Sequence, residues 1–277
     1  MALPRLAIGL ISFGPGRPLA ESLAACARHG IRHVGLTREL VASPGPAEVA
    51  RILAGEGIAV TGYARAPRIP PTTGPERAQA LSEGRRLLDE AATVGARHLI
   101  ATGGGFDPAV TTLERAWDAF LEGMHALLPD AAACGVEIVI EPLHPMYAGD
   151  RGLVFTLARA VEACDVLGLE RGLVVDAYHV WWEPGLAEAL AAARGRIAEF
   201  HICDWRLPTR GPTDRAMIGE GCIDLTGLAR RVRAAGFDGP YELELFSSQD
   251  WWLRSPDELL TTATRNFAAL FAESEDA

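Results

Sequence analysis

The sequence predicts an α/β chain folded as a single (β/α)8 TIM barrel, one domain over residues 1–277. Three observations carry that expectation: eight short apolar runs alternate with eight helix-like stretches, no linker interrupts them, and glycine marks many of the joins. Short continuous apolar runs suit strands of a parallel sheet covered on both faces. Eight repeats in 277 residues suit closure of that sheet into a barrel. An open doubly wound sheet would also alternate. It normally carries fewer strands, and no Gly-x-Gly-x-x-Gly follows the first run here.

The first strand is expected over Leu6–Ile11. One Arg5 precedes the run and no small-residue cleavage site follows, so it reads as a strand rather than a signal peptide. Next come helix Leu19–Arg28, strand His33–Leu36, helix Ala47–Gly55, strand Ala59–Tyr63, helix Glu76–Val94 and strand His98–Thr102. The second half continues with helix Leu113–Cys134, strand Val136–Glu141, helix Leu153–Leu167, strand Leu173–Asp176 and helix Leu186–Arg194. Strand Ile197–His201, helix Leu225–Ala235, strand Tyr241–Phe246 and helix Asp257–Phe271 complete it. Gly30, Gly57, Gly95, Gly135 and Gly236 stand where helices pass into strands, as left-handed caps do. The connections after the third, fifth and seventh strands are long, and long loops on one barrel face are where recognition usually sits.

Composition narrows the function. With 49% hydrophobic and 22% charged residues the chain reads as soluble and globular, and no run approaches a membrane span. A net charge of −10 argues against a sequence-independent grip on nucleic acid. Five scattered cysteines without a Cys-x-x-Cys pair suit reduced thiols in a cytoplasmic protein. Every one of the 26 basic Lys/Arg positions is arginine. Without a lysine, Schiff-base aldolase chemistry, pyridoxal-phosphate catalysis and the phosphate-loop nucleotide motif are all excluded.

Four ligand-type residues stand at or near the ends of four expected strands: Glu141, Asp176, His201 and Glu244. Parallel barrel strands bring their C-terminal ends to one mouth, so the four should meet there as metal ligands. Three oxygen donors and one imidazole suit one divalent ion, Mn²⁺ first and then Mg²⁺ or Co²⁺, rather than a structural zinc. The competing reading is a set of barrel-top carboxylates satisfied by arginines. Glu242 and Glu199 share the inward parity one layer lower; they are partners that orient ligands, or Glu242 replaces Glu244. His144 and His179 each follow a candidate ligand by three positions and are candidate proton carriers or hydroxyl partners. Trp181, Trp182, Trp205, Trp251 and Trp252 all fall shortly after the ligand strands, where flat rings can stack on a sugar. Trp182 and Trp205 are the expected substrate contacts.

These residues resemble the sugar phosphate isomerase/epimerase family, the xylose-isomerase-like barrels. The likeness spans nearly the whole chain and rests on Ile140–Pro145, Val175–His179, Phe200–Trp205, Gly219–Asp224 and Tyr241–Phe246. The resemblance implies a metal held by Glu141, Asp176, His201 and Glu244, with Glu141 and Glu244 also moving protons as in ketose 3-epimerases. It implies a substrate-binding histidine at His179 and a substrate-binding arginine at Arg206 or Arg210. The expected activity is a divalent-metal-dependent sugar isomerase or epimerase acting on a ketose or related polyhydroxy ketone through an enediolate. The alternatives are a metal-dependent lyase, of the inosose dehydratase or C-deglycosidase type, and a non-catalytic sugar-binding barrel. The expected partner is a small sugar or cyclitol, not a nucleic acid or membrane, with a homodimer left open. Three-zinc DNA-repair endonucleases of the same superfamily fit badly, because the fourth strand ends in Ala101-Thr102-Gly103 without a histidine.

Overall fold

The computed structural model describes residues 5–70, 74–106 and 111–272. Eight parallel strands close into one barrel: β1 (Leu6–Gly9), β2 (His33–Thr37), β3 (Ala59–Ala64), β4 (His98–Ala101), β5 (Glu137–Ile140), β6 (Leu173–Asp176), β7 (Ile197–Ile202) and β10 (Tyr241–Leu243). Closure is made by β10, which pairs β1 through Leu6 and Tyr241 and pairs β7 through Glu242 and His201. A separate two-stranded ribbon, β8 (Asp204–Trp205) and β9 (Arg215–Ala216), stands over the C-terminal mouth. Among the described residues, ten α-helical segments accompany the strands: α1 (Leu19–Arg28), α2 (Arg38–Ala42), α3 (Pro46–Glu56), α4 (Pro75–Thr93), α5 (Leu113–Cys134), α6 (Leu157–Leu167), α7 (Ala177–Val180), α8 (Leu186–Ala192), α9 (Leu225–Ala234) and α10 (Pro256–Ala272).

The outer helices bury one face each against the barrel wall, through residues such as Leu23, Leu87, Leu88 and Met124. That burial is the main source of stability for helices of this length. The five glycines expected at the joins all take positive φ, between 64° and 95°. Thr112, Thr156 and Asp224 cap α5, α6 and α9 through their side-chain oxygens. No helix among the described residues is long and apolar enough to cross a membrane.

Several boundaries differ from the sequence expectation. The first strand stops at Gly9 and continues as a 3-10 turn over Leu10–Phe13. The sixth helix starts at Leu157 rather than Leu153, because Thr156 caps it and the Val154 carbonyl accepts from the Leu143 amide. The last strand ends at Leu243, so Glu244 lies just beyond the ladder. The short α2 and α7 turns and the β8–β9 ribbon are additions. Elements of two to five residues carry too little periodicity to be read from sequence.

Inside the barrel, side chains and glycines exchange space. Glu199 of β7 and Glu242 of β10 point inward at the middle of the barrel, facing Gly9, Gly35 and Gly62 on β1, β2 and β3. A Cβ on Gly35 would lie 1.9 Å from Glu242 Oε1, and one on Gly62 would lie 2.5 Å from Glu199 Oε1. Small residues on one half of the wall thus make room for glutamates from the other half.

Candidate active site

The upper layer of the barrel gathers the four expected ligands. Glu141 follows β5, Asp176 ends β6, His201 is the penultimate residue of β7, and Glu244 follows β10. Each offers one donor atom, and the four atoms lie within 4.8 Å of one another. A second set, Glu199, His201 and Glu242, is equally compact one layer lower and shares His201.

The two sets differ in how their polar atoms are satisfied. In the upper one, Glu141 Oε1 and His201 Nδ1 are buried without a hydrogen-bond partner, facing each other at 3.5 Å. Buried polar atoms nearly always find partners, so two orphans converging on one point mark a place for a ligand. The donor set suits a divalent cation by charge as well. Arg215 offsets one of the three carboxylates, and a divalent cation would balance the other two. The upper set can therefore hold a divalent metal ion.

Burial dominates the electrostatics. It raises the Glu141 carboxyl above its ordinary range, and the Glu244 charge adds to the rise, while His201 pulls the other way. Asp176 is pushed up to about 7 by burial, against the attraction of Arg215. Burial also opposes charge on His201, but the carboxylates of Glu141 and Glu199 outweigh it and hold the imidazole well above its usual range. Such mutual repulsion among buried acids is what a shared cation relieves.

Arg215 comes from β9, where the ribbon places it opposite Trp205. Its Nη1 donates to Asp176 Oδ2 at 3.0 Å, Glu244 Oε2 at 3.0 Å and the Glu244 carbonyl at 3.1 Å. Its guanidinium carbon lies 4.2 Å from the centre of the Tyr178 ring. His179 stands beside it on α7, and burial followed by the Arg215 charge holds it well below the usual imidazole range, hence neutral. Both ring nitrogens face donors: Nδ1 lies 3.2 Å from the His144 amide, and Nε2 lies 3.0 Å from Arg215 Nη2 and 3.5 Å from Asp176 Oδ2.

A cavity of about 250 Å³ opens over this layer, and Glu141, Glu244, His179, Arg215, Tyr147 and Arg151 are among the residues that line it. Of the expected substrate residues, His179 reaches the cavity. His144, Trp182, Trp205 and Arg206 do not line it. The His144 ring is turned back to cap the 3-10 turn Pro145–Tyr147 and packs between Trp182 and Trp205 at 5.2 and 5.3 Å. Trp182 donates to the His179 carbonyl at 2.8 Å, and Trp205 stacks on Tyr178 at 4.6 Å. These rings brace the site from behind. Arg206 is engaged by Asp214 and Asp250, each at 3.2 Å, and Arg210 also pairs Asp214. The arginine that pairs the site's carboxylates is Arg215, to which the sequence reading gave no role. One signal was available: it opens the apolar run Ala216-Met217-Ile218, and a buried arginine must have buried acid partners. Tyr147 and Arg151 were also missed, since nothing local marks a loop residue for a cavity.

Comparison with known proteins agrees with this architecture. Protein SMc04130 from Sinorhizobium meliloti 1021 has 40% identity and a TM-score of 0.90, covering 96% of this chain and 98% of that one. An IolI protein solved with a bound zinc atom has 18% identity and a TM-score of 0.81, over 97% and 98%. D-Psicose 3-epimerase from Clostridium cellulolyticum H10, solved with D-tagatose, has 14% identity and a TM-score of 0.73, over 98% of each chain. No curated protein sequence matches the chain. The family described as xylose isomerase-like TIM barrel matches residues 23–267, nearly the whole barrel, and the chain belongs to that family.

Proposed function

We propose that this protein is a divalent-metal-dependent isomerase or epimerase of a ketose or related polyhydroxy ketone, working through an enediolate. The observation that carries the reading is the pair of buried, unpartnered atoms, Glu141 Oε1 and His201 Nδ1, within a four-donor set below an open cavity. The structural likeness to a D-psicose 3-epimerase and to a zinc-bound IolI protein supports it. The residues that would hold the cation are Glu141, Asp176, His201 and Glu244. A carboxylate-rich set with one imidazole favours Mn²⁺, with Mg²⁺ or Co²⁺ next.

When bound, the cation supplies Lewis acidity that polarises the substrate carbonyl and acidifies the adjacent C–H. The chain's own residues do the rest. Glu141 and Glu244 come from strands separated by β6 and β7 and line one cavity, so they approach a substrate from different sides. One removes the proton and the other returns it, to the opposite face for epimerisation or to the neighbouring carbon for isomerisation. Burial raises the proton affinity of Glu141, which suits it to take a proton from carbon. Arg215 holds the Glu244 carboxylate in place through Oε2. His179, at the cavity wall, meets a substrate hydroxyl. Tyr147 and Phe246 wall the cavity and limit water around the intermediate.

The test uses chelated and Mn²⁺-reloaded protein in heavy water with a panel of ketoses and oxidised cyclitols. The expected result is deuterium at the carbon beside the carbonyl, with an epimer or isomer formed, in the reloaded protein alone. Mn²⁺ at one hundred times its Kd should also stabilise the fold by about 2.7 kcal/mol. Release of water or an aglycone would move the reading to a lyase. Exchange that survives complete chelation, or no exchange with any substrate, would overturn it.

A further inference from the structure

Beneath the four-donor layer, Glu199 links two histidines from opposite parts of the wall. Its Oε2 is 2.9 Å from His201 Nε2, and its Oε1 is 2.5 Å from His98 Nδ1 on β4. The carboxylate is buried. A ligating histidine almost always donates its other ring N–H to a partner such as a carboxylate, and the Glu199 oxygen at 2.9 Å is placed to accept from His201 Nε2. That leaves Nδ1, the atom without a partner beside Glu141 Oε1, to face a cation. Gly62 provides the space, since a Cβ there would lie 2.5 Å from Glu199 Oε1.

We propose that Glu199 is the positioning residue of the site: it locks the ring orientation and tautomer of His201 so that Nδ1 faces the cation, with His98 clamping the carboxylate from the far side. This rests on the metal reading above. Glu242, in the same layer, has a different bond, with Thr61 Oγ1 at 2.5 Å, and no bond to the His201 ring. It serves as the internal control.

The experiment is Mn²⁺ titration by calorimetry on wild type, Glu199→Leu, Glu199→Gln and Glu242→Gln, with thermal melts of the chelated proteins as a check on folding. Glu199→Leu, which removes the acceptor at similar size, should weaken Mn²⁺ binding roughly 10–100-fold. Glu199→Gln keeps one acceptor oxygen and should recover part of that loss, and Glu242→Gln should stay within a few-fold of wild type. If Glu199→Leu does not fold, Gly62→Ala provides the same test by displacing the carboxylate while leaving Glu199 in place. Wild-type affinity in Glu199→Leu or Gly62→Ala overturns the positioning role. An equal loss in Glu242→Gln overturns it too, by placing the cation in the lower set. Failure of wild type itself to bind Mn²⁺ is a separate result, and it removes the metal reading before Glu199 is in question.

Discussion

The N-terminal mouth of the barrel opens onto the larger cavity, about 500 Å³ against about 250 Å³ at the C-terminal mouth. Both cavities reach glutamates: buried Glu199 and Glu242 from below, buried Glu141 and half-buried Glu244 from above. The difference lies in satisfaction. Glu199 is bonded to two imidazoles and Glu242 to a hydroxyl, whereas Glu141 Oε1 has no hydrogen-bond partner. Size therefore does not distinguish the two ends. Glu141 Oε1, left without a partner at the C-terminal mouth, is open to a cation and substrate.

The largest expected effect sets the two layers against each other. Glu141→Gln and Glu244→Gln should each lower kcat by about 10²–10⁴-fold, because the proposed reaction moves its protons through them. Glu242→Gln should cost far less. A dead Glu242→Gln beside an active Glu244→Gln would invert the assignment of the layers, and steady-state kinetics on the three proteins decides it.

The next effect concerns Arg215, whose guanidinium pairs Asp176 and Glu244 of the upper layer. Arg215→Met leaves Asp176 and Glu244 buried without their guanidinium. Urea denaturation of the chelated protein should show a loss of about 3–5 kcal/mol. Mn²⁺ should return part of that loss by neutralising the same carboxylates. A loss below 1 kcal/mol in the chelated variant would mean that those acids are not charged together.

A smaller effect tests a buried acid that lines neither cavity. Both oxygens of Glu183 accept from the Leu157 amide, at 2.9 and 3.0 Å. Burial pushes its carboxyl from 4.5 up to about 7, only partly offset by that amide. The folded protein then keeps a proton that the unfolded chain releases between those values. Its contribution is full below pH 4.5 and is lost as pH rises through 7. Glu183→Gln should flatten this part of the stability–pH profile and stabilise the protein above pH 7, by about 2–3 kcal/mol at most. An unchanged profile would mean that the amide alone satisfies the ionised carboxylate.

Much of the site was legible because strand ends are legible. Glu141, Asp176, His201 and Glu244 share one parity and one end, and a parallel barrel converts that pattern directly into proximity. Glu244 lies beside Glu141 and Asp176, while Glu242 lies among Glu199 and His201. The aromatic and arginine contacts were not legible. Trp182, Trp205 and Arg206 sit in the expected loops, but a loop's direction depends on what it packs against. Here the β8–β9 ribbon turns Arg215 inward and leaves Arg206 with Asp214 and Asp250.

The sequence by itself determined the eight-fold alternation, the four inward donors and the absence of a lysine for imine chemistry, because strand period and residue type are local properties. Tertiary structure alone decided which buried acids are satisfied. That depends on partners far apart in the chain: His98 meets Glu199 across 101 residues, Thr61 meets Glu242 across 181, and Arg215 meets Asp176 across 39. Whether a buried carboxylate is spent on structure or left for chemistry is settled by those meetings, since desolvation makes an unpaired charge costly wherever the fold fails to supply a partner.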